Sequence, residues 1–172
     1  MSSFVILLLF VAPAAAEKPN RAFAGRIMLS DKRFPTSARS LAEFNAKVSK
    51  QSKTSFFEDK EKKWKIYFAG FLKVPLNDVE YMVKLYELNG RSQRLLATIE
   101  QFTDSRGQAS LLSNMQLERK TIGANKEILM TIENRGKVLA SSRFKLLGAH
   151  EKRSGKVDFT EEEAAGGATD DE

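Results

Sequence analysis

At 172 residues the chain is long enough for one domain with a sizeable core, and its 42% apolar and 29% charged residues exclude both wholesale disorder and a multi-span membrane protein. It has no cysteine, which excludes disulfide frameworks, thiolate metal sites, a Cys nucleophile and a lipidated-cysteine anchor, and its single histidine, His150, must carry any His-dependent chemistry. The net charge of +6 is uneven: residues 161–172 hold six acidic residues and no basic one, so without them the rest would carry +12. A body that basic favours anionic partners such as acidic polysaccharide, lipid headgroups or nucleic acid, although a merely solvated surface accounts for the charge equally well.

Phe4 to Val11 is an uninterrupted apolar run followed by Pro13 and the Ala14-Ala15-Ala16 triplet. This is the layout of a secretory signal peptide, with cleavage after Ala16 and a mature protein beginning at Glu17, although no Lys or Arg precedes the run. It is too short to span a bilayer, which takes about 20 apolar residues. The expected location is therefore secreted or periplasmic. Residues 17–21 read as a linker, and Ala22 to Leu29 as a first strand in which Gly25 permits a bulge.

Ser40-Leu41-Ala42-Glu43 has the form of a capping box, and Leu41, Phe44 and Val48 recur with helical spacing, which predicts a short helix over Leu41–Lys50. The next segment is crowded with lysine and interleaved with Phe56, Phe57 and Trp64. Basic residues beside aromatic rings are the raw material of polyanion binding, so Lys60, Lys62, Lys63, Trp64 and Lys65 form the candidate binding set. No nucleic-acid-binding motif accompanies them. Glu58, Asp59 and Glu61 interrupt the run and favour the competing reading, a solvated loop whose aromatics tuck into the core.

From Lys63 the pattern alternates. Trp64, Ile66 and Phe68 fall on one face, then, after Pro75-Leu76-Asn77-Asp78, so do Val79, Tyr81, Val83 and Leu85. Hydrophobic matching around Asn89-Gly90-Arg91 favours a three-residue loop that pairs Leu85 with Leu95, Val83 with Ala97 and Tyr81 with Ile99. A five-residue loop, 104–108, would then set Leu95 opposite Leu117 and Ala97 opposite Met115. A second hairpin around Asn134-Arg135-Gly136 places Ile132 opposite Val138 and Met130 opposite Ala140, with Gly136 free to take positive φ. Residues 148–155 read as a basic loop, 156–160 as a last strand, and 161–172 as a disordered acidic tail that could compete with an anionic partner for the basic face.

Seven or eight strands and one short helix predict an all-β domain over residues 22–160. The expected form is an immunoglobulin-like antiparallel sandwich, the alternative a closed up-and-down barrel around a ligand cavity. Catalytic grammar is missing: there is no Gly-x-Ser-x-Gly elbow, and the glycines of 148–156 are spaced wrongly for a phosphate loop. No cofactor or metal is implied, since Asp31, Asp59, Asp78 and Asp104 fit turns better than an ion site. The expectation is a non-enzymatic binding or accessory protein, with an anionic macromolecule or an envelope protein as partner. The alternatives are a carboxylate-dependent hydrolase of an anionic polymer, marked by two close carboxyls in a concave site, and a small-ligand barrel.

Overall fold

Two independent layers of apolar side chains, one on each side of the same strand, organise the molecule. The computed structural model describes residues 20–149. The elements are β1 (Arg26–Ser30), α1 (Leu41–Gln51), β2 (Ser55–Phe57), β3 (Lys63–Leu76), β4 (Glu80–Asn89), β5 (Ser92–Phe102), β6 (Gln108–Glu118), α2 (Arg119–Ile122), β7 (Lys126–Asn134) and β8 (Lys137–Leu147). The expected signal peptide, the expected last strand at 156–160, His150 and the acidic C-terminal segment lie outside the described residues.

The all-β class stands, but the sandwich does not. All eight strands share one curled sheet, a half-barrel in the order β5-β4-β7-β8-β1-β3-β6, with β2 beside β8. The sheet is mixed: β1 and β2 lie end to end along one edge of β8, both parallel to it, while the other pairings are antiparallel. Helix α1 carries the chain from β1 to β2 along that one edge, and the stretch from β3 to β7 returns it to β8, an arrangement that period-2 patterning alone does not reveal. Nor is the barrel closed, because β5 and β6 are the ends of the order and do not pair with each other. The expected pairing of 95–97 with 115–117 is therefore replaced by β3 against β6, with Trp64 opposite Leu117 and Ile66 opposite Met115.

Both hairpins differ from the expected register in the same way. Asn89 pairs with Ser92 and Tyr86 with Leu95 around a two-residue Gly90-Arg91 turn, after which Leu96 is extra and Leu85 pairs with Ala97, Val83 with Ile99. In the second, Asn134 pairs with Lys137 around Arg135-Gly136, both at positive φ, then Leu139 is extra and Ile132 pairs with Ala140. A two-residue turn plus one bulge shifts the pairing by two places from that expected. A shift of two preserves the face beyond each bulge, so Leu85, Val83, Ala97, Ile99, Ile132 and Ala140 still point inward, whereas Leu95 and Val138, on the turn side of the bulges, are 52% and 46% exposed.

The concave face is filled by Ile27, Trp64, Phe68, Leu85, Met130, Ile132, Phe144 and their neighbours. Packing is close enough that a Cβ at Gly70 would clash with Ile132 Cδ1. On the convex side of β1 and β3, Phe23, Phe34, Val48, Ala69 and Phe71 form a second cluster under α1, with the Phe44 ring edge-on to Phe71 at 6.2 Å. The helix begins as expected, Ser40 Oγ accepting from the Glu43 backbone N–H at 3.1 Å, while the Glu43 carboxylate accepts from Arg39 N instead of Ser40 N. Among the described residues no helix is long and apolar enough to cross a membrane.

Trp64 is 1% exposed and its Nε1 donates to the Leu147 carbonyl at 3.0 Å, fastening the end of β8 to β3. Replacing it by alanine is expected to cost about 3–5 kcal/mol of stability, and by phenylalanine less but still measurably, in urea denaturation followed by far-UV circular dichroism.

Candidate functional site

The five residues singled out from the sequence divide between the inside and the outside of the sheet. Strand alternation sends Trp64 into the core and Lys63 and Lys65 to the convex face, so no exposed indole stands among the lysines. Lys60 and Lys62 lie in the preceding turn, where Asp59 Oδ1 accepts from the backbone N–H groups of Glu61 and Lys63 at 2.9 Å each and Lys62 takes φ 59°. Phe56 is buried, and Phe57 is 49% exposed.

A cleft of about 680 Å³ opens beside this turn, lined by Glu61, Lys62, Lys63, Glu118, Arg119 and Lys120. Its positive charge is largely cancelled from within. Lys63 Nζ is 2.9 Å from Glu61, Lys120 Nζ 3.2 Å from Glu118, and Arg119 Nη1 2.8 Å from the buried Glu58. Glu58 Oε1 also accepts from the Ala149 N–H at 3.0 Å, whereas its buried Oε2 finds no partner among the described residues. That carboxylate ties the exit of β8 to α2. This cleft is thus mainly a network of ion pairs.

Free cations gather further along the convex face. Lys63, Lys65 and Tyr67 occupy alternate positions on β3, about 7 Å apart, with Gln116 and Asn114 of β6 opposite Lys65 and Tyr67. Arg33 joins them from the loop after β1. That loop is held on both sides: Phe34 is buried in the outer cluster, and Gln51 Nε2 at the end of α1 donates to the carbonyls of Lys32 at 3.0 Å and Arg33 at 2.6 Å. Lys65 and then Arg33 favour the phenolate of Tyr67 and hold its pKa below the ordinary 10.0, and Lys65 Nζ sits 5.5 Å from the ring centroid. Among the described residues no carboxylate lies within salt-bridge distance of Arg33, Lys50 or Lys65, so their charge is available to a ligand. Two concavities flank Arg33: one of about 150 Å³ lined by Phe34, Thr36, Tyr67, Leu112 and Asn114, and one of about 470 Å³ lined by Pro35, Lys47, Lys50 and Gln51.

Carboxylates also meet on the convex face. Desolvation first, and the neighbouring Glu100 second, raise the pKa of Glu80. This is the paired-carboxyl feature expected of a hydrolase, but the pair sits on adjacent strands of the convex face and lines none of the clefts described above. Glu133 behaves oppositely. Desolvation opposes its ionisation, yet Lys84 Nζ at 2.6 Å and the Thr131 hydroxyl at 2.8 Å outweigh this and lower its pKa. Among the described residues no group of three or more potential ligands is placed to hold a metal ion.

No model of a known protein family matches the chain, and no curated protein matches its sequence. The functional reading therefore rests on this geometry.

Two titrations check the electrostatics. Lys65→Ala should raise the Tyr67 pKa and Arg33→Ala should raise it less, as read from phenolate absorbance against a Tyr67→Phe control. Because the folded pKa of Glu133 is depressed, its contribution to stability is present above the unfolded value, about 4.3, and lost as pH falls through the folded value. Glu133→Gln should therefore flatten the acid limb of a stability-versus-pH curve measured by urea denaturation.

Proposed function

We propose that the protein is a secreted or periplasmic, non-enzymatic binding or accessory protein that engages an anionic macromolecule through the basic convex face of β3. The observation that carries this reading is the convergence of Arg33 and Lys65 on Tyr67, with no carboxylate of the described residues neutralising either cation. The loop backbone that carries Arg33 is held by buried Phe34 and the Gln51 clamp before a ligand arrives, which lowers the ordering cost of binding. The apolar run and the alanine triplet at the N-terminus supply the case for export.

Compared with the starting set, the binding residues become Lys65, Arg33, Tyr67 and Lys50, with Lys63 at the margin and Trp64 as their scaffold. Lys60 and Lys62 add charge near the approach. A charge-assisted hydrogen bond is worth about 1.5–3 kcal/mol, so Arg33→Ala and Lys65→Ala are each expected to weaken binding to a soluble polyanion roughly tenfold or more. Raising salt from 0.05 to 0.5 M should weaken wild-type binding as well, because exposed charges are screened. Isothermal titration calorimetry with polyuronate checks both, and equal affinities for the wild type and the double variant would overturn the assignment. Export is tested separately by the location and N-terminal residue of the protein isolated from its native cells. Recovery from the cytoplasm with Met1 intact would refute it.

A further inference from the structure

The small concavity beside Arg33 differs from a generic basic patch in what surrounds its cations. Leu112, 46% exposed, stands on the convex face of β6 opposite Ala69 and provides an apolar floor beside the Tyr67 ring. Asn114, directly across from Tyr67, and Thr36, in the loop after Arg33, present an amide and a hydroxyl at its rim. Arg33 lines one side, Lys65 lies over the Tyr67 ring that lines it too, and beyond Arg33 the larger concavity carries Lys47 and Lys50. Lys47 is paired with Glu43 at 2.7 Å and Lys50 has no carboxylate partner among the described residues.

We propose that this concavity is a subsite for one acidic sugar residue of a polysaccharide, with the next negative charge of the chain taken up beside Lys50. A uronic acid ring has an apolar C–H face, ring hydroxyls and a carboxylate; Leu112, then Asn114 and Thr36, then Arg33 and Lys65 match those three in turn. The guanidinium offers the paired donors that a carboxylate accepts. Single-stranded nucleic acid fits less well. Sequence-tolerant binding of single strands depends on aromatic faces free to stack on bases, whereas Lys65 lies over the Tyr67 ring and Phe34 is buried. The subsite proposal rests on the anion-binding reading above and goes beyond it by naming the chemistry that is read.

The test uses the full chain and three probes of equal charge: a polyuronate oligosaccharide, inorganic polyphosphate and single-stranded oligodeoxythymidylate, with a carboxyl-reduced neutral oligosaccharide as a fourth. The polyuronate should bind about tenfold more tightly than either phosphate polymer, and the reduced sugar more weakly than the polyuronate by a similar factor. Asn114→Ala and Leu112→Ser, both exposed positions, should weaken polyuronate binding severalfold while leaving polyphosphate binding unchanged, and Arg33→Ala should weaken both. Equal affinity for all three polyanions, or equal effects of Asn114→Ala on polyuronate and polyphosphate, would overturn the sugar subsite and leave the anion-binding reading standing. Failure of every polyanion to bind would overturn both.

Discussion

Strand β3 is buried on both faces over its middle, and the rest of the structure depends on that. Phe68, Gly70 and Leu72 point into the concave core while Ala69 and Phe71 point into the layer beneath α1. A strand covered on one side alternates apolar and polar residues; one covered on both sides reads as a continuous apolar run. The run Phe68-Ala69-Gly70-Phe71-Leu72 is such a segment. It sits between β1 and β6 and bears the helix on its back. Gly70 is the necessary gap, since any side chain there would have to displace Ile132 from the facing β7. Where the helix cover ends, toward Tyr67, Lys65 and Lys63, the same strand turns its convex side to solvent and becomes the candidate binding surface. Fold and site are two stretches of one strand.

Much of this was legible in the residues. Capping placed the helix within one residue, and alternation identified Trp64, Ile66, Phe68, Tyr81, Val83 and Leu85 as inward-facing. Val79 was the exception, being 37% exposed just before β4 begins. Hydrophobic matching recovered the correct face of each hairpin beyond its bulge but missed the register and placed Leu95 and Val138 inward, because a tight turn followed by a bulge and a longer turn without one give the same parity only past the bulge. The partners of β3 were not legible, since matching consecutive segments favours the meander and says nothing of strands distant in the chain. The parallel edge of β8 escaped for the same reason, as did β2, whose three residues, Ser55 to Phe57, are too short to show a period.

The candidate site was half visible. Lys63-x-Lys65-x-Tyr67 can be read as one face of a strand, and the tyrosine completes it. Arg33 could not be found by spacing, because only the β1–β3 pairing, which sets Ser30 against Tyr67, brings the following loop alongside. Counting lysines also overstated the turn at 59–63. A formal charge says nothing about the carboxylate beside it: Glu61 takes up Lys63, and Glu58 and Glu118 take up Arg119 and Lys120 across the same cleft.

The seating of β1 beside β8 has a kinetic consequence. The Ser141 N–H donates to the Gly25 carbonyl at 3.0 Å, and the Lys145 N–H to Thr54 at 2.8 Å, so the first two strands complete their ladders on the last one. Loop closure over that separation must precede the contacts that reward it, and topologies dominated by such distant pairings form slowly. The β4–β5 and β7–β8 hairpins can assemble as soon as they are made. Strand β1 can pair with β3, and α1 can pack on both, once β3 has been made, but the seam with β8 waits for the end of the domain. The seam between β8 and the first two strands is therefore the last part of the sheet to close.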